Sequence, residues 1–147
     1  MDKDFVVKDY GNDPLVVDLM KVTQDNSNYR STLWTGDYFQ LTLMEIPAGG
    51  GDIGMEIHHG NDQFLFLVDG VGKVQMGKVK GELTVDRKVT AGDAVIVPAE
   101  TWHNITNIGD QPMKVYSIYS PVKHAKGIEE ATKAEAIKKE GPLEGTE

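Results

Sequence analysis

Two stretches decide the reading: GGDIGMEIHHGNDQFLFLVDG at Gly50–Gly70, and GDAVIVPAETWHNITN at Gly92–Asn107. In extended chain, residues two apart face the same side, so Glu56 and His58 share a face. Gly60-Asn61-Asp62 reads as a turn. A strand that pairs back after it brings Gln63 to that face, and a later strand adds His103. Two imidazoles, one carboxylate and one amide oxygen then converge. That donor set suits a divalent transition metal (Mn, Fe, Ni, Co or Zn), and the absence of a soft ligand disfavours Cu(I). Sliding the register by one residue puts His59 in place of His58 and brings Ile57, which cannot ligate, to the first position. It also turns Glu56 and His58 outward. The Glu56/His58 register is preferred because it keeps four donors on one face.

Outward from these stretches, short β-rich runs recur, each bounded by Gly, Pro, Asn or Asp. Strands are expected near 30–35, 38–46, 53–58, 63–69, 72–77, 83–89, 94–97, 102–107 and 112–120. Many short strands at this spacing predict an all-β sandwich or barrel. Residues 1–29 read as an N-terminal arm, with a short helix capped by Asp18. Residues 30–120 form the barrel, and 121–147 a helix and tail. The helix is expected over Ile128–Lys139, acidic first and lysine-rich last as the helix dipole favours, and stopped by Gly141-Pro142. Such a helix reads as a surface element, and His124 as a surface residue. Arg30 has two readings: buried, it marks an anionic substrate; exposed, it is a surface arginine beside the acidic arm.

The spacing resembles the cupins, small β-barrels of the double-stranded jelly-roll type with two signature motifs. Gly50, Glu56, His58, Gln63 and Gly70 fit the first motif, G-x5-H-x-H-x(3,4)-E-x6-G. Gly92, Pro98, His103 and Asn107 fit the second, G-x5-P-x-G-x2-H-x3-N. The resemblance covers residues 38–120. Three positions depart from it: Glu56 stands for the first His, Gln63 for the Glu, and Glu100 for the inner Gly. The first two swaps keep metal-capable groups. The third places a side chain in a turn that favours φ > 0. The small cupins this chain is most similar to are called mannose-6-phosphate-isomerase-like. The resemblance implies a metal held by Glu56, His58, Gln63 and His103. It also implies a small polar substrate such as a sugar or sugar-phosphate derivative, and a homodimer formed through sheet edges or exchanged arms. An Fe(II) dioxygenase and a non-catalytic sugar-binding module are the alternatives. No general base is singled out; a tyrosine of the last strand is one candidate.

Composition sets the outer limits. At 147 residues with net charge −8 the chain suits one domain. It carries no clustered Lys/Arg run of the kind that neutralises phosphates, so nucleic acid is not an expected partner. With no cysteine, thiolate metal sites, cysteine nucleophiles and disulfides are excluded. No apolar run approaches the ~20 residues of a membrane helix, and no leader pattern follows Met1. The expected location is the cytoplasm.

Overall fold

The computed structural model describes residues 5–141. Helix α1 (Leu19–Asp25) is followed by β1 (Arg30–Thr35), β2 (Gln40–Ile46), β3 (Asp62–Asp69) and β4 (Val71–Gly77). Then come β5 (Val85–Thr90), β6 (Ala94–Val97), β7 (Trp102–Asn107), β8 (Met113–Ser120), β9 (Glu129–Glu130) and α2 (Lys133–Glu140). Two antiparallel sheets result, ordered β6-β3-β8-β2-β1-β9 and β5-β4-β7. They face one another across a shared core: Leu65, Val95 and Met113 of the larger sheet pack in one cluster with Val74, Val89 and Ile105 of the smaller. This is the expected jelly roll, built as two facing sheets.

Cross-strand pairing grades the inner face of the larger sheet from apolar to polar. Leu67, Val115 and Met44 form one row, and Leu65, Ser117 and Thr42 the next. Gln63, Tyr119 and Gln40 form the last, each almost fully buried. Apolar rows hold the sheets together, each fully buried Leu or Val contributing ~1.5–3 kcal/mol. The polar row demands partners, and it locates the site at that end of the fold.

The opposite face of this sheet is covered from the N-terminal side. Leu33 and Leu43 are fully buried with Val22 of α1 and pack against Phe5, Val7, Tyr10, Leu15 and Val17. The arm therefore lies on its own sheet. Asp18 caps α1 as expected, accepting the Lys21 N–H.

Two expectations are corrected. The strand at 53–58 is absent; only two isolated bridges form, Asp52 to Thr106 and Glu56 to His103. The step between them is four residues on one side and three on the other, so one residue bulges out. Gly54, at φ +89, supplies the left-handed backbone that this bulge needs. The helix expected from Ile128 begins at Lys133, because Glu129–Glu130 first pairs with Arg30–Ser31 at the sheet edge. Thr132 then caps the helix by accepting the Glu135 N–H, while the Glu135 carboxylate accepts the Ala131 N–H. Gly141 closes the helix at φ +87, as its place in the sequence predicts. Pro142 lies outside the described residues.

Candidate metal centre

The bridge at the bulge builds the centre. Glu56 N–H donates to the His103 carbonyl (3.0 Å) and His103 N–H to the Glu56 carbonyl (2.9 Å). Residues exchanging both bonds stand side by side on one face, so the Glu56 carboxylate and the His103 ring emerge together. His58 is placed by its carbonyl, which accepts the Glu100 N–H at 2.9 Å. Its Nε2 lies 3.4 Å from Glu56 Oε1, and His103 Nε2 lies 3.8 Å from the same oxygen. One donor atom from each of the three falls within 4.8 Å of the others. The group can hold a metal ion.

Two further observations fit a metal. His103 Nδ1 donates to the Thr101 carbonyl at 2.9 Å, since a carbonyl only accepts. That fixes the tautomer and leaves Nε2 unprotonated, the arrangement that metal-binding histidines adopt. This Nε2 is buried with no hydrogen-bond partner. Burial pushes the His103 pKa below its ordinary value, against the Thr101 bond, so the ring stays neutral at pH 7. Gln63 is the second case. Its Nε2 donates to Ser117 Oγ at 2.9 Å, while its buried Oε1 has no partner. A buried carbonyl oxygen without a partner costs ~1–3 kcal/mol, which a bound cation would offset.

His59 is more than half exposed, its Nδ1 2.5 Å from the Glu100 carboxylate. It stays outside the group, as the Glu56/His58 register requires. Glu100 keeps the left-handed turn despite its side chain, at φ +63. It accepts the Gly60 N–H at 3.1 Å as well, and so ties the turn before β7 to the 58–60 loop.

The centre opens into a cavity of about 310 Å³, in the range of small-ligand sites. Glu56 and His58 lie on one side, Arg30 and His124 on another, and Lys133 and Glu140 of α2 close over it. Here the sequence reading needs two more corrections. His124 is buried, not on the surface: its backbone N–H and C=O bond the Gln40 side chain, each at 2.8 Å. Helix α2 is a cavity wall, with Ala136 buried in the core. Arg30 is buried, but two carboxylates already meet it. Its Nη1 donates to Glu130 Oε1 and to Glu140 Oε2, each at 2.9 Å. Burial, with the neighbouring Glu140 carboxyl, pushes the Glu130 pKa up to about 7, and Arg30 opposes this. A proton is thus held in the cluster near neutrality. Burial likewise keeps His124 neutral, so its Nδ1, 2.5 Å from Glu140 Oε1, is the donor of that bond.

The Cupin_2 family, described as the cupin domain, matches residues 42–119, more than half of the chain. This chain is a cupin. YrkC of Bacillus subtilis (strain 168) is 47% identical over 136 residues, 92% of this cupin and 73% of the relative. Protein L612 of Acanthamoeba polyphaga mimivirus is 36% identical over 117 residues, 79% of this chain and 71% of the relative. The crystal structure of BH2720 from Bacillus halodurans superposes with a TM-score of 0.88 at 45% identity, covering 90% of this chain and 99% of that one. Among the described residues, no helix is long and apolar enough to cross a membrane.

Proposed function

We propose that this cupin is a metal-dependent enzyme acting on a small, polar, oxygen-rich substrate of the sugar or sugar-phosphate class, by isomerase-type proton transfer. The observation that carries the reading is a two-histidine, one-carboxylate group that opens, through Glu56 and His58, into a cavity of about 310 Å³ lined by charged side chains. Glu56, His58 and His103 hold the ion, and Gln63 supplies the fourth donor through its Oε1. A divalent metal there supplies Lewis-acid polarisation of a substrate oxygen. The chain's own groups orient the centre and its ligand. His103 keeps its lone pair toward the centre through the Thr101 bond. Of the tyrosines on β8, Tyr119 faces inward, its ring 5.8 Å from that of His58. Burial pushes its phenol pKa up, so Tyr119 keeps its proton at neutral pH and acts as a hydrogen-bond donor rather than as a base. We place the protein in the cytoplasm as a homodimer, with the open edge at β6 as the contact.

The ligand set itself favours a second reading, since two His and one carboxylate is also the set of non-heme Fe(II) oxygenases. Elemental analysis of wild type beside His103→Ala, paired with oxygen uptake, tests both. Near-stoichiometric Mn, Ni, Co or Zn that the variant loses supports the first, and iron with oxygen consumption the second. No metal in wild type, even after anaerobic reconstitution, overturns both and leaves a non-catalytic binding module.

A further inference from the structure

The carboxylate of Glu140 is bound as a ligand would be. One oxygen accepts from Arg30 Nη1 at 2.9 Å and the other lies 2.5 Å from His124 Nδ1. Both donors are more than nine-tenths buried, and both belong to the body of the fold: Arg30 on β1, His124 clamped by Gln40 of β2. One buried donor per oxygen, one of them a guanidinium, is an arrangement that suits a carboxylate. The two acids on Arg30 are not equivalent. Glu130 is fully buried and paired with Arg30 across the β1–β9 ladder, whereas the Glu140 side chain is 25% exposed on the cavity wall. Glu140 also sits in the closing turn of a helix only eight residues long, a weak element on its own.

We propose that Glu140 occupies this cupin's own carboxylate-binding position, and that the carboxylate of a small acid ligand replaces it on Arg30 and His124. The exchange is neutral in charge at Arg30, one carboxylate leaving as another enters, so the Arg30–Glu130 pair is kept. The place is right for a ligand reaching the metal centre: Arg30, His124, Glu56 and His58 line the same cavity. A hydroxy or keto acid would set its carboxylate on Arg30 and His124 and its other oxygens toward Glu56 and His58. The substrate class within the proposed function is therefore an acid of sugar length, with its carboxylate at one end of the cavity and hydroxyl or carbonyl oxygens at the other. The inference rests on reading this cavity as the ligand site, and not on the metal.

The test uses the full chain stripped of metal with EDTA, so that failure of the metal reading cannot mimic failure of this one. Acetate is titrated into wild type, Glu140→Ala and Arg30→Gln/Glu140→Ala at constant ionic strength against chloride, with binding read by calorimetry. Removing the internal competitor should tighten acetate binding about tenfold or more in Glu140→Ala, and removing Arg30 should abolish it. Equal affinity in wild type and Glu140→Ala, or no saturable binding in a folded Glu140→Ala, overturns the proposal. Should Glu140→Ala fail to fold, Glu140→Gln, which keeps the shape, must still bind acetate more tightly than wild type. In wild type, saturating glycolate should speed hydrogen exchange in the 137–141 turn about tenfold. Unchanged exchange at saturation also overturns it.

Discussion

Replacing Gln63 with Met separates stability from metal binding. The side chain is buried, so the change acts on two polar atoms. Loss of the Nε2–Ser117 bond removes about 1 kcal/mol. Loss of the unpartnered Oε1 returns ~1–3 kcal/mol of desolvation cost, and the Met side chain fits nearly the same volume. Without metal, Gln63→Met should therefore be at least as stable as wild type, by about 1 kcal/mol, or ~2–4 °C in Tm for a chain of this size. With metal the variant's advantage disappears. At a metal concentration about 100 times the wild-type Kd, wild type gains about 2.7 kcal/mol. A variant binding about tenfold more weakly gains about 1.4 kcal/mol at that concentration. Thermal melts of both proteins, EDTA-treated and with Mn(II), Ni(II) or Zn(II), read all four states. A metal-free variant less stable than wild type by more than ~1 kcal/mol, with an unchanged metal response, would refute the reasoning. Gln63 would then be a structural partner of Ser117 and nothing more.

Three further outcomes are expected. Glu130 has a folded-state pKa raised above its unfolded value of 4.5 to about 7, so its contribution is present below pH 4.5 and lost as pH rises through 7. The ceiling is about 3 kcal/mol, and about 1–2 kcal/mol remains once cavity water screens the Glu140 neighbour. Glu130→Gln mimics the protonated form, and its stability relative to wild type should rise by that amount between pH 5 and 8 in urea unfolding; parallel profiles would contradict this. Glu100→Gly and Glu100→Ala both delete the carboxylate, but only Gly suits φ +63, so the Gly variant should be the more stable by about 1 kcal/mol; equal midpoints would show an unstrained turn. Thr132→Ala should cost about 1 kcal/mol through loss of the α2 cap, with faster amide exchange at Glu135 as the local sign.

The jelly roll and the metal-capable group are legible in the sequence because both rest on short-range spacing. Glu56 and His58 sit two apart beside a Gly-Asn-Asp turn, and His103 follows a Gly–Pro-marked strand. Strand alternation at 53–58 is nonetheless the wrong reason for their convergence; the bulge at Gly54 and the bridge to His103 achieve it. The rest depends on pairings that periodicity cannot see. Arg30 meets Glu130 and Glu140 across 100 and 110 residues, and Gln40 holds His124 across 84. A charged helix such as Lys133–Glu140 reads as surface until those partners are known. One local signal does mark its start: Thr132 followed three residues later by Glu135.

Helix α2 contributes to the cavity without belonging to either sheet. Apart from Ala136, its cavity-facing Lys133 and Glu140 reach the rest of the fold through side-chain ion pairs, with Asp52 and Arg30, rather than through backbone pairing. Evolution and protein engineering thus have a replaceable cover. Randomising positions 133, 137 and 140 would retune which ligands enter, while the backbone bridge between Glu56 and His103 keeps its register. Diversity among close cupin relatives should accordingly concentrate in this one helix, over a conserved floor.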